Sequence, residues 1–201
     1  MTRNSFISLG KLSDVKGRIC YISSHEKQEN LYATYNTTSE TFWHMLAQTC
    51  QNEYRKSGIA GKCVEAREMI IALPECFVQL EPQTLLQKFT DYFKNTYGVE
   101  CIAALHHNKS KTNYHIHLIF SERKLLDTPI VKLATRNMFY DESGKHRRTK
   151  REILNESGNF RRGCKIISKG EVYERQYFEH KQAIFKDYNW LDTIKQQYTR
   201  N

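Results

Sequence analysis

Apolar residues along this chain keep two periods, and the switches between them predict its elements. Residues 6–9, with Phe6 and Leu9, read as a short opening strand. Leu12, Val15, Ile19 and Ile22 then recur at helical spacing behind Ser13, the predicted cap, with Asp14, Gly17, Arg18, Tyr21 and His25 on the other side. Residues 31–35 predict a second strand, and residues 39–57 a helix that carries Phe42, Trp43, Leu46 and Tyr54 and stops at Gly58. Residues 66–73 predict a buried strand ended by Pro74. Pro82 opens a further helix, with Leu85, Leu86, Phe89, Phe93 and Tyr97 on one face until Gly98. Two strands follow, over residues 100–106 and 115–120, joined by a short polar loop. A last helix is predicted over residues 187–200, with Tyr188, Leu191, Ile194 and Tyr198 inward. This order of elements predicts the α+β class, an antiparallel sheet with helices packed on it.

Residues 123–165 lose both periods. The stretch is polar and basic, with two similar turns, Asp141-Glu142-Ser143-Gly144 and Asn155-Glu156-Ser157-Gly158. Hairpins or a mobile loop are expected there. Its arginines, Arg147, Arg148, Arg151, Arg161 and Arg162, are candidate contacts to a DNA backbone, and a solvated charged loop is the alternative. Charge strengthens the first reading. The 201 residues carry a net +9, with twelve tyrosines and ten phenylalanines among the cations, and the sequence pI is about 9.2. That balance favours a polyanionic partner, most simply nucleic acid. The length suits one domain, 1–201, with a real core. Six cysteines without any Cys-x-x-Cys pair, and no leader ahead of them, read as reduced thiols of a cytoplasmic protein rather than a zinc ribbon. No apolar run reaches the ~20 residues of a membrane helix, so no membrane insertion is expected.

The chemistry concentrates between His106 and His117, where four of the eight histidines fall. His115 and His117 alternate within an apolar run that continues through Leu118, Ile119 and Phe120, so a strand puts both imidazoles on one face. The preceding strand ends in His106 and His107, and the loop brings a third imidazole close. Three neutral imidazoles can hold a divalent cation. Either His106 or His107 can be the third; His106 shares strand parity with Ile102 and Ala104.

These residues resemble the MobA/MobL-type relaxases, plasmid mobilization nucleases within the His-hydrophobe-His endonucleases. The likeness covers essentially the whole chain. It includes the tyrosine helix, the stretch from Ala66-Arg67-Glu68 to Ala72-Leu73-Pro74, and Ala104-Leu105-His106 followed by Asn113-Tyr114-His115-Ile116-His117. It continues through Asn137-Met138-Phe139-Tyr140 and Gly163-Cys164-Lys165 to Gly170-Glu171-Val172-Tyr173-Glu174-Arg175. The resemblance implies a central five-stranded antiparallel sheet flanked by helices, a three-histidine metal site and a tyrosine nucleophile. It also implies nicking of one DNA strand at a transfer origin through a 5′-phosphotyrosine, with later rejoining, in bacterial cytoplasm. Accessory relaxosome proteins and a coupling protein are the further partners implied. The chain would be the N-terminal nicking domain of a longer protein.

Carried over by position, the metal ligands are His106, His115 and His117, and the nucleophile is Tyr21, with Tyr32 and Tyr35 as fallbacks. Arg18, one turn before Tyr21, is a candidate phosphate contact. Glu68, a candidate catalytic residue, matches one of two acidic positions found in some members, and a charged strand-end residue paired with a Lys or Arg is the alternative; Ile70 stands at the second position, and His107 stands where the family often has an acid. Nitrogen ligands suit Mn²⁺, Zn²⁺, Ni²⁺ or Co²⁺, while abundance in cells favours Mn²⁺ or Mg²⁺. Two competing readings remain. In a rolling-circle replication initiator the tyrosine follows the histidines, whereas Tyr21 precedes them. A non-catalytic basic DNA-binding module would use the histidines structurally.

Overall fold

The computed structural model describes residues 6–200. They form two compact units: Leu125–Glu179 is one, and the chain on either side of it makes the other.

The larger unit is built on a five-stranded antiparallel sheet in the order β1-β3-β5-β4-β2. Its strands are β1 (Ile7–Leu12), β2 (Leu31–Asn36), β3 (Ala66–Ala72), β4 (Cys101–His107) and β5 (Tyr114–Phe120). The helices are α1 (Val15–Ile22), α2 (Glu40–Ser57), α3 (Pro82–Tyr97) and α4 (Trp190–Arg200). This is the α+β architecture expected. β4 is buried along its whole length and β5 nearly so, as strands covered on both faces must be.

Strand parity divides the sheet into two environments. Met69 and Ile71 of β3, Ile116, Leu118 and Phe120 of β5, and Cys101, Ala103 and Leu105 of β4 share one face. They make a continuous core with Leu85, Leu86, Phe93 and Tyr97 of α3 and with Trp190 and Ile194 of α4. α3 forms where it does because Glu81 accepts bonds from the Gln83 and Thr84 amides ahead of Pro82, and because Gly98 adopts φ +64° at its end. The opposite face carries Glu68, Ile70 and Ala72 of β3, His115 and His117 of β5, and Ala104 and His106 of β4. α1 lies on that side and packs against α2.

Several element limits differ from the expectation. β1 runs on to Leu12, which pairs with Ala66, so Leu12 belongs to the strand and not to the helix stripe. Asp14, not Ser13, caps α1, its Oδ1 accepting from the Gly17 amide at 2.9 Å. α4 begins at Trp190, and Tyr188 is 94% exposed, not inward. The aspartate that starts the predicted helix lies in the turn before it, where the Trp190 amide donates to the Asp187 carbonyl.

The Leu125–Glu179 unit is made of hairpins. β6 (Leu125–Leu133) pairs with β10 (Val172–Phe178), and β7 (Met138–Tyr140) pairs with both β8 (His146–Arg147) and β9 (Lys165–Ile167). The two Glu-Ser-Gly turns close hairpins, and Ile153 is fully buried among the loops. No helix among the described residues is long and apolar enough to cross a membrane.

Candidate metal centre

The antiparallel register assembles the histidines. His106 sits directly opposite His115 across β4 and β5, and His117, two residues on, lies opposite Ala104. Cross-strand partners share a face, so three imidazoles project together. Their ring centroids are 4.9–5.7 Å apart, and one nitrogen from each lies within 4.8 Å of the others.

Each ring is fixed by a bond on its far side. His106 Nε2 donates to the Ile22 carbonyl at the end of α1, 2.8 Å away. His115 Nδ1 donates to the Asn113 carbonyl at 2.9 Å, and His117 Nδ1 donates to Glu68 Oε1 at 2.8 Å. Arg18 Nη2 also lies 3.4 Å from His117 Nδ1, but both carry protons in this assignment, and the shorter bond to the carboxylate decides the tautomer. The network therefore leaves Nδ1 of His106 and Nε2 of His115 and His117 with free lone pairs. The last two lie 3.1 Å apart. Anchoring one ring nitrogen so that the other presents its lone pair is how proteins orient metal-binding histidines, and the donor set fits a divalent cation.

Burial favours the neutral form of His106 and His115. It pushes His106 down to about 4, aided by the neighbouring imidazoles, and lowers His115 as well. A neutral imidazole is the form that ligates. Glu68 shows the opposite balance. Burial would raise its pKa, but bonds from His117 and Arg18 outweigh burial and hold it below the usual carboxylate range.

Arg18 and Tyr21 complete this side of the sheet. Arg18 Nε reaches both Glu68 oxygens at 3.0 Å and its Nη2 lies 2.9 Å from Oε1, so the guanidinium is committed to that carboxylate. The same guanidinium sits 5.1 Å from the centre of the Tyr21 ring. Tyr21 is 43% exposed, on the helix whose last carbonyl holds His106.

The other sequence candidates lie elsewhere. His107 is on the opposite face, where its Nδ1 is 3.0 Å from the Tyr32 hydroxyl. Its Nε2 lies 3.5 Å from Glu75. Tyr35 donates to Asp91 of α3 at 3.0 Å, and burial and that aspartate raise its pKa. Neither Tyr32 nor Tyr35 is on the histidine side. In the hairpin unit, Arg147 is bound by Asp141 and Arg161 by Glu142 and the Glu152 carbonyl. Arg148, Arg151 and Arg162 are exposed. What the sequence could not reveal are the backbone acceptors, the carbonyls of Ile22 and Asn113, because any residue type supplies a carbonyl. The pairing of Arg18 with Glu68, fifty positions apart, left no local signal either.

No curated relative matches the chain. A family model does, over residues 19–200, a span that holds Tyr21, Glu68, the three histidines and the entire hairpin unit. With nearly its full length matched and a histidine face of this geometry, the chain belongs to the MobA/MobL family.

Proposed function

We propose that this chain is a DNA relaxase that nicks one strand at a plasmid transfer origin and later reseals it. The observation that carries the reading is the position of Tyr21. Arg18 and Ile22 anchor α1 to Glu68 and to His106, and residues 18, 21 and 22 share one flank of a helix. Tyr21, exposed and in contact with the Arg18 guanidinium, is thereby held on the histidine side.

A divalent cation on His106, His115 and His117 would supply positive charge to the non-bridging oxygens of a scissile phosphate. The protein's own groups do the rest. The Tyr21 oxygen bonds to phosphorus as the bond to the 3′ oxygen breaks, the phenol loses its proton and the 3′ oxygen leaves as a hydroxyl. The 5′ phosphate stays on the tyrosine as a diester, so attack by the 3′-hydroxyl reverses the step without ATP. Glu68 fixes the His117 ring and holds Arg18 beside Tyr21, which makes it a positioning residue.

The test uses single-stranded DNA from the transfer origin of the replicon that encodes the chain, with Mn²⁺ present. The wild type should give nicked product and a protein–DNA adduct that survives denaturant, mapping to Tyr21. Tyr21→Phe should lose both while still binding the DNA. Product with a free 5′-phosphate and no tyrosine adduct would replace this reading with a simple metal nuclease. Binding with no cleavage in any divalent metal would leave a DNA-binding module.

A further inference from the structure

The hairpin unit carries an exposed aromatic ring that the catalytic reading does not use. The turn 155–158 closes a tight hairpin in which Leu154 bridges Phe160, with the Asn155 amide donating to the Asn159 carbonyl at 2.8 Å. Arg161 continues the pairing, its amide donating to the Ile153 carbonyl at 3.0 Å, while its guanidinium is tied to Glu142 and to the Glu152 carbonyl. Ile153 is fully buried, so this hairpin is anchored in the unit's own core. Phe160 is not part of that core. Phe160 is 48% exposed, and the Lys150 ammonium lies 5.2 Å from the centre of its ring. Arg151 and Arg162, near Lys150 and Phe160 in the chain, are exposed.

A large apolar ring left in water costs about 25 cal/mol per Å² of exposed apolar surface relative to burial. Rigid presentation among unneutralised cations gives that exposure a use. Proteins that hold single-stranded nucleic acid combine these two elements, a base stacked on an aromatic face and cations that meet the flanking phosphates. We propose that Phe160 is a stacking platform for one unpaired base of a DNA single strand, with Lys150, Arg151 and Arg162 contacting the adjacent phosphates. This rests on the relaxase reading only for the identity of the strand. Arg161 has a different part, holding the hairpin in place.

The test is binding of a short oligothymidylate and of the same strand with abasic residues, followed by fluorescence anisotropy across a salt series. Phe160→Ala should weaken binding to the oligothymidylate by roughly 5- to 150-fold, the loss expected for one stacked base. Because no charge is removed, the salt slope should stay as in the wild type. Phe160→Leu keeps apolar bulk over the hairpin but has no π face, and should lose nearly as much. Phe160→Trp should retain affinity and show emission quenching on binding beyond that of the wild-type tryptophans. The abasic strand should bind wild type and Phe160→Leu alike. Equal affinity of wild type and Phe160→Leu for the oligothymidylate would overturn the proposal, even if the Tyr21 adduct forms. Discrimination by Phe160 in a protein that forms no adduct would uphold the platform and remove the relaxase reading instead.

Discussion

At the scale of single residues, orientation decides which histidine does what. His106 and His107 are adjacent and both buried, yet alternate side chains of a strand leave opposite faces, so only His106 joins His115 and His117. His107 instead meets Tyr32 beside Tyr114. His106→Ala, His115→Ala and His117→Ala should each abolish or strongly reduce Mn²⁺ binding measured by calorimetry at neutral pH, while His107→Ala keeps it. Glu68→Gln preserves volume but replaces the carboxylate that fixes His117 and Arg18. Loss of such an outer partner typically costs about 10- to 100-fold in metal affinity. Unchanged Mn²⁺ affinity in His106→Ala together with loss in His107→Ala would reverse the ligand assignment.

At the scale of elements, α1 is the part on which the site depends. It has only eight residues, too few to be stable alone, so its placement comes from its ends and its contacts. At the start Asp14 accepts from the Gly17 amide, and buried Glu65 accepts from the Val15 amide at 2.9 Å while bonding Gln51 of α2. A Cβ on Gly17 would come within 2.2 Å of Asp14 Oδ2, so glycine there lets the cap carboxylate sit over the helix end. Asp14→Ala should lower stability to denaturant by about 1 kcal/mol, the usual worth of such a cap. Gly17→Ala should not deliver the gain of about 1 kcal/mol that helix propensity alone promises, because it displaces the cap. Chemical denaturation followed by circular dichroism measures both, and a clear stabilisation in Gly17→Ala would show that the Asp14 cap is dispensable.

At the scale of the whole molecule, the net charge of +9 is what bears on the proposed binding of DNA. In the hairpin unit the cations are not equivalent. Asp141 takes Arg147, and Arg161 is held by Glu142, while Arg148, Arg151 and Arg162 face solvent. Replacing Arg148, Arg151 and Arg162 together by alanine should weaken binding to single-stranded DNA and reduce the slope of log affinity against log salt by about 2, from about 0.7 per lost phosphate contact. Arg147→Ala should instead destabilise its hairpin, by unpairing the buried Asp141, with little change in slope. Anisotropy over a salt series separates the two, and an unaltered slope in the triple variant would make those arginines a solvated face.

The periodicity of apolar residues determined the helices and strands of the larger unit, because a helix and a strand each need one apolar face, and 3.6 and 2 residues are the spacings that give it; it placed none of the strands β6 to β10. It placed α3 to the residue, since proline and glycine mark both ends, and it put His115 and His117 on one face of β5. It erred at Leu12 and Tyr188, where an apolar residue at an element's edge satisfies either period or none. Only the tertiary structure decided that His106 stands opposite His115, that Arg18 reaches Glu68 across fifty residues, and that carbonyls of Ile22 and Asn113 turn two rings inward. Those facts depend on strand register and on backbone groups common to every residue, and neither leaves a mark in the order of side chains.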